Sequence, residues 1–312
     1  MKTLKEAYES GEFILTAECV PPKGADISTF CDHARRLLGR VHAVNVNDNP
    51  AATMHASPLA LSQVLREMGH DPICQITGRD RNRLAIQSDL LGLQILGIRN
   101  VLCLTGDDIA VGDQKEGKGV FDLESVDIIQ AVVGLNEGKD LAGRPVQGAT
   151  ALFPGAAVSP EEDPLEPGLI QFKRKVEAGA RFFQTQAVFR PDRFDRFMEH
   201  ARKLNVKIVA GILLLRSLKM AQYVTEHIPG IRVPERFLQK LARAGKEGER
   251  EAGIEIALGL IETIGRTCDG LHLMAIGAEE QIPLLLERAG LAPSKERPFD
   301  DRGRMAAGGA HG

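Results

Sequence analysis

The sequence predicts the α/β class and, within it, a (β/α)8 barrel of the TIM type. Three observations point there. Residues 73–108 read as strand, crossover helix, strand. An apolar run (Ile73, Cys74, Ile76) ends in Thr77-Gly78-Arg79-Asp80, and a second run ends in Thr105-Gly106-Asp107-Asp108. Between them Leu84, Leu90, Leu91 and Ile95 return to one helical face, which stops at Gly97. The same unit recurs until eight strand-like runs have been counted. No Gly-rich dinucleotide fingerprint follows the first strand, which sets the barrel above its rival, a doubly wound sheet.

In chain order the strand-like runs are 13–20, 41–47, 72–77, 100–105, 147–153, 182–189, 207–215 and 271–276. Helical patterns fill the gaps at 27–38, 59–68, 84–96, 123–133, 169–178, 193–204 and 218–227, with two more at 235–244 and 251–266 before the eighth strand and one near 279–289 after it. This organisation makes residues 1–291 one barrel domain. Residues 292–312 have almost no apolar content and are expected to be a disordered tail. The Gly-rich, charged stretch 109–119 follows the fourth strand and reads either as a lid or as a disordered surface loop.

Composition narrows the function classes. A net charge of -3, with both signs interspersed, offers no basic footprint for nucleic acid. No stretch is apolar for long enough to span a membrane, and the N-terminus lacks a signal-peptide core. Five cysteines without a CxxC pair suit reduced core thiols and a cytoplasmic location, not a disulfide scaffold. No His/Asp/Glu grouping has metal-ligand spacing, so no metal is expected, and no nucleophile elbow or Walker motif is present.

In an α/β barrel the C-terminal strand ends carry the chemistry. Here they hold Glu18, Asn47 with Asp48, Thr77 with Arg79, Thr105 to Asp107, Phe153 and Gln186, while the seventh and eighth strands read as apolar. Glu18 lies in an otherwise apolar first strand. Desolvation there favours a protonated carboxyl, a general acid, and the alternative is a glutamate paired with an arginine such as Arg79. Asp107 follows a glycine that permits close approach and is either an acceptor for a heterocycle or a turn aspartate. Gln186 offers donor and acceptor together, and Gln184 points the same way one pleat earlier. Lys173, Arg174 and Lys175 form a basic cluster that is either a phosphate site or a solvated helix face.

Five segments carry a resemblance. AECVPPKG, VNVND, ITGRDRNRLAIQSDLLGLQILGIRNVLCLTGD, KRKVEAGARFFQTQAVF and AGILLLRSLKMAQYVTEHIPGIRVPE closely resemble the methylenetetrahydrofolate reductases, in order and with fitting spacing, from about residue 13 to 291. The resemblance implies a flavin-containing (β/α)8 barrel, with FAD or FMN, that reduces 5,10-methylenetetrahydrofolate to 5-methyltetrahydrofolate. Carried over by position, it makes Glu18 the acid that opens the folate's five-membered ring. It sets Asp107 between flavin and pterin, and Gln186 against the pterin. Asn47, Thr77, Thr105, Gly106, Arg174 and Lys175 fall where the family contacts flavin, and Asp48, Gln75 and Phe153 count with them as cofactor-side positions.

The departures matter as much. Relative to the enteric-type enzymes, Gln75 replaces a His, Thr105 an Arg and Phe153 a Tyr. Met220 and Val224 replace the glutamine and the aromatic that hold folate and nicotinamide, and a substrate-binding Arg is absent from the run IGAEE. The chain is more similar to reductases of anaerobes that act with a partner subunit. That implies an electron-donating partner or low-potential carrier in place of bound NAD(P)H, and an oligomer of like or unlike chains. The competing functions are a flavin-free pterin-binding barrel that transfers a methyl group and a non-catalytic barrel subunit of a larger complex.

Overall fold

The computed structural model describes residues 2–228 and 230–293. Its eight strands are β1 (Ile14–Cys19), β2 (Ala43–Val46), β3 (Pro72–Thr77), β4 (Asn100–Leu104), β5 (Phe153–Val158), β6 (Phe182–Ala187), β7 (Lys207–Leu213) and β8 (Gly270–Met274). They pair in parallel, each with the next, and β8 closes on β1, with Thr16 opposite His272. The helices are α1 (Leu4–Ser10), α2 (Ser28–Leu37), α3 (Pro58–Glu67), α4 (Arg83–Ile95), α5 (Ser125–Asn136), α6 (Glu166–Glu177), α7 (Pro191–Ala201), α8 (Leu218–His227), α9 (Glu235–Ile264) and α10 (Ile282–Arg288). The chain is therefore the (β/α)8 barrel that its alternating pattern predicts.

Local chemistry sets the helix ends. The Asn82 side chain accepts from the backbone N–H groups of Leu84 and Ala85, which fixes the start of α4. Gly97, at φ 74°, ends the same helix in the left-handed region. Two expected helices merge: patterns 235–244 and 251–266 join in the single span of α9, whose only break is Gly245 at φ 65°, ψ 169°.

The core has two parts, as strand alternation requires. Outward residues such as Leu15, Val44, Cys74, Ile76 and Val101 pack under the helices. Inward residues Ile14, Ala43, Ile73, Leu102, Phe153, Phe182 and Val209 fill the lower lumen, and α1 closes it from below with Leu4 and Tyr8. Cys19, Cys74, Cys103 and Cys268 are buried, and burial pushes the thiols of Cys19, Cys74 and Cys268 up to about 12. They are inert core groups, as the cysteine pattern suggests.

The fifth strand departs from expectation. Residues 147–152 are irregular, and Asn136 at the end of α5 holds them by accepting from Thr150 Oγ1 and the Leu152 N–H. The strand starts only at Phe153. Its sequence, FPGAAV, looks unlike a strand because its inward positions above Phe153, Gly155 and Ala157, are small. A Cβ on Gly155 would lie 2.2 Å from the Phe182 ring. The stretch 109–119 is also tied down: Lys23 pairs with Asp113, and a Cβ on Gly112 would lie 1.9 Å from the Ala52 carbonyl oxygen. The expected tail lies outside the described residues from 294 onward.

This packing is testable. Gly155→Ala forces its methyl into the Phe182 ring, an overpacking that costs ~1–3 kcal/mol, read as a lower urea midpoint. Combining it with Phe182→Leu should cost less than the sum of the two single changes. Strict additivity in the double-mutant cycle would refute the contact.

Candidate functional site

Glu18 stands at the upper end of β1, 14% exposed, and faces the barrel mouth. Its Oε1 accepts from Asn47 Nδ2 at 3.1 Å and faces His272 Nε2 at 3.3 Å. The dry setting expected from its neighbours in sequence is thus replaced by two polar partners from β8 and the end of β2. Arg79 is not among them. It is buried and donates to Asp80 at 2.7–2.8 Å and to the Asn49 carbonyl at 3.1 Å. Asn47 is itself buried, and its Oδ1 has no hydrogen-bond partner. A buried acceptor left unpaired beside a carboxyl group is costly unless a ligand supplies the donor.

Several candidates brace the mouth from behind. Asp48 is buried and accepts from the Thr77 N–H, from Thr77 Oγ1 and from Arg81 at 2.6–2.9 Å. The carboxylate of Asp48 and the hydroxyl of Thr77 are therefore spent on each other. Arg81 continues the chain to Asp89. Thr105 Oγ1 accepts from the Ser125 N–H and anchors the start of α5. Gly106, at φ 94°, lies so near Arg79 that a Cβ there would sit 2.8 Å from the Arg79 Cβ.

Asp107 is exposed, and its Oδ2 accepts from the Ala51 N–H at 3.2 Å. It bridges to another loop and does not cap its own turn. That loop is strained: Asn49, Ala51 and Ala52 have φ of 45°, 52° and 51°. Strained backbone tends to gather at ligand sites. Gln75 shares the inward face of β3 with Ile73 and is buried in the lumen. Gln186 is half-buried on a bulge, because the pairing of β6 with β7 shifts between Gln184 and Ala187. Such a bulge re-aims side chains at a barrel rim, which plain alternation does not anticipate.

The basic cluster splits. Lys175 donates to the Ala157 carbonyl at 2.8 Å, and burial pushes its ammonium below the ordinary lysine value. It lines a cavity of about 290 Å³ with Ser159, Glu162, Gly168 and Gln171, at the C-terminal end of β5. Arg174 is exposed and donates to Gln171 at that cavity's rim, while Lys173 is solvated.

Phe153 is a correction. It is the first residue of β5, at the opposite end of the barrel from Glu18, where its ring stacks on Phe182 at 5.4 Å and meets Tyr8 edge-on at 5.3 Å. It is part of the floor, away from the mouth. A second correction concerns the eighth strand, read as apolar: His272 points inward there, on the face of Gly270 and Met274. The signal is the alternation within GLHLM. Folding brings His33, Glu279 and Glu280 together with their ligand atoms within 4.8 Å, a grouping that no local spacing announces. The Gly277 N–H and His33 already engage Glu279.

On α8, Val224 is core and Met220 half-buried, so neither presents a flat face. The exposed aromatic of that helix is Tyr223, whose ring stacks on His227 at 4.4 Å. Among the described residues no helix is long and apolar enough to cross a membrane.

Known proteins share this architecture and parts of this sequence. The solved structure of an uncharacterized Clostridium thermocellum protein, described as binding two copies of 5-methyl-5,6,7,8-tetrahydrofolic acid, matches with a TM-score of 0.66 at 15% identity, over 91% of this chain and 96% of that one. It shares the fold. Methylenetetrahydrofolate reductase 2 of Schizosaccharomyces pombe is 28% identical over 74% of this chain and 38% of its own length. Methylenetetrahydrofolate reductase 1 of the same yeast is 26% identical over 91% and 47%. The 5,10-methylenetetrahydrofolate reductase of Escherichia coli is 24% identical over 63% and 62%. The chain thus spans less than half the length of the yeast relatives. The family model described as methylenetetrahydrofolate reductase matches residues 3–290, nearly the whole barrel, and the chain belongs to that family.

Proposed function

We propose that this chain reduces 5,10-methylenetetrahydrofolate to 5-methyltetrahydrofolate at the C-terminal mouth of its barrel, with a bound flavin as the redox group. The observation that carries this reading is Glu18, a carboxyl group held at the mouth by Asn47 and His272 in a chain of this family. The 5-methyl-5,6,7,8-tetrahydrofolic acid that the C. thermocellum protein binds supports a folate as the substrate class.

The residues present fit a flavin. The unpaired Oδ1 of Asn47 suits a ring N–H, and the cavity beside Lys175, with Arg174 at its rim through Gln171, suits a phosphate-bearing tail. FMN and FAD both offer such a tail. Thr77, Thr105 and Gly106 shape the wall between them, and Asp48 and Gln75 support it. When bound, the flavin supplies the hydride. Glu18 holds a proton toward the folate and gives it to N10 as the ring opens, which leaves an electrophilic methylene carbon. Asp107, an exposed carboxylate, favours positive charge developing in the folate. Gln186 orients the pterin edge with its paired donor and acceptor. Electrons come from a partner subunit or a low-potential carrier, because Val224 and Met220 offer nicotinamide no platform.

Three measurements test this. Purified protein should be yellow or take up FAD or FMN, and a protein that stays colourless at high flavin concentration contradicts the reading in favour of the flavin-free barrel. NADH or NADPH alone should reduce the flavin slowly or not at all in anaerobic stopped flow, so rapid stoichiometric bleaching would sink the partner-donor assignment. Glu18→Gln should slow folate reduction by at least about 10²–10⁴-fold, the usual worth of general acid catalysis, with flavin content and flavin reduction by an artificial donor nearly unchanged. Normal folate turnover per bound flavin in that variant removes Glu18 from the mechanism.

A further inference from the structure

Beneath Glu18 the lumen holds a polar layer that the folate reaction does not itself call for. Thr16, Asn45, Gln184 and His272 are all buried there, on four different strands of the barrel wall. Asn45 Nδ2 donates to Gln184 Oε1 at 2.6 Å, and Gln184 Nε2 donates back to Asn45 Oδ1 at 2.9 Å. This reciprocal amide pair ties β2 to β6 across the lumen. The second Gln184 N–H then faces Thr16 Oγ1 at 3.2 Å and His272 Nδ1 at 3.3 Å. Thr16 Oγ1 lies 2.9 Å from His272 Nδ1, nearer than the 3.5 Å to its other acceptor, the Leu271 carbonyl.

These contacts favour one tautomer of the imidazole. With Gln184 donating a hydrogen bond to Thr16, the threonine hydroxyl is free to donate to Nδ1. A nitrogen facing two donors carries no proton of its own, so the single N–H of a neutral ring sits on Nε2. That N–H points at Glu18 Oε1, 3.3 Å away, which also accepts from Asn47. Oε1 is then occupied twice, and Oε2 is the oxygen left to hold a transferable proton. Below the layer Ile14, Ala43, Ile73, Phe153 and Phe182 pack the lumen, so the network braces the carboxyl group from above an apolar cluster.

We propose that His272 is a positioning residue for Glu18: fixed as the Nε2–H tautomer by Thr16 and Gln184, it holds Oε1 and leaves Oε2 as the proton-bearing oxygen. The proposal rests on the reading of Glu18 as the folate acid, but its first test does not.

The ¹⁵N spectrum of the imidazoles in the full-length protein, with His272 assigned through His272→Gln, should show a bare Nδ1 and a protonated Nε2. An Nδ1–H tautomer would overturn the proposal, whatever the enzyme reduces. The second test is kinetic. His272→Leu removes the donor and should slow the folate half-reaction about ten- to hundredfold at saturating folate, the worth of a hydrogen bond to the carboxylate that Glu18 becomes as its proton leaves. KM and flavin content should change little. His272→Gln, whose amide can still donate, should recover most of the rate. Equal rates for wild type and both variants would refute the positioning role. If His272→Leu fails to fold, Thr16→Val serves: it should mix the two tautomers in the spectrum and slow the half-reaction about threefold to tenfold. An unmixed spectrum with an unchanged rate counts against the proposal. A wild-type protein that holds no flavin and reduces no folate defeats the proposed function alone, because the tautomer is read independently.

Discussion

Closing eight parallel strands on themselves leaves a lumen that only inward side chains can fill, and the functional end of this protein depends on how that lumen is filled. The lower half is solved with hydrocarbon: Phe153 stacks on Phe182, and Leu4 and Tyr8 of α1 seal it from beneath. The upper half is solved with amides, a hydroxyl and an imidazole, each of which costs free energy unless paired. They pair with one another across the barrel, from β1 to β2, β6 and β8. A fully satisfied polar network in low dielectric is rigid. Glu18 sits on top of it and inherits that rigidity.

The loops above follow the same economy. Asp48 ties the end of β2 to Thr77 and Arg81, Asp107 ties the β4 loop to the turn at 50–52, and Thr105 ties β4 to α5. Residues that look like a row of ligand contacts along the sequence therefore divide into two kinds. Some hold the rim in shape. Others, Asn47 with its unpaired oxygen and Glu18 with its free one, are left facing the mouth. Position along a strand does not separate the two kinds, because the partner that consumes a side chain comes from another unit of the fold.

The same division marks what is legible in the sequence. The barrel, its strand count and the place of Glu18 follow from apolar runs and helical spacing, which are local. The fifth strand lies beyond its expected run because the inward residues of FPGAAV above Phe153 are small, and the reason lies in Phe182, 27 positions past Gly155. His272 is hidden because its neighbours Leu271 and Leu273 give the segment an apolar look, although alternation turns them to the opposite face. Gln186 follows no regular pleat, since a bulge interrupts it. For the fifth strand and for Gln186 the missing term is a contact between distant units, which composition and periodicity do not encode; for His272 the alternation of GLHLM carries the signal.

The sealed floor has a consequence for proton supply. A well with one opening gives solvent and substrate the same doorway. In the proposed reaction a proton given up by Glu18 has one way back: Ile14, Ile73 and Phe182 pack the lumen beneath it, so the acid is recharged from the mouth, the side by which the substrate enters.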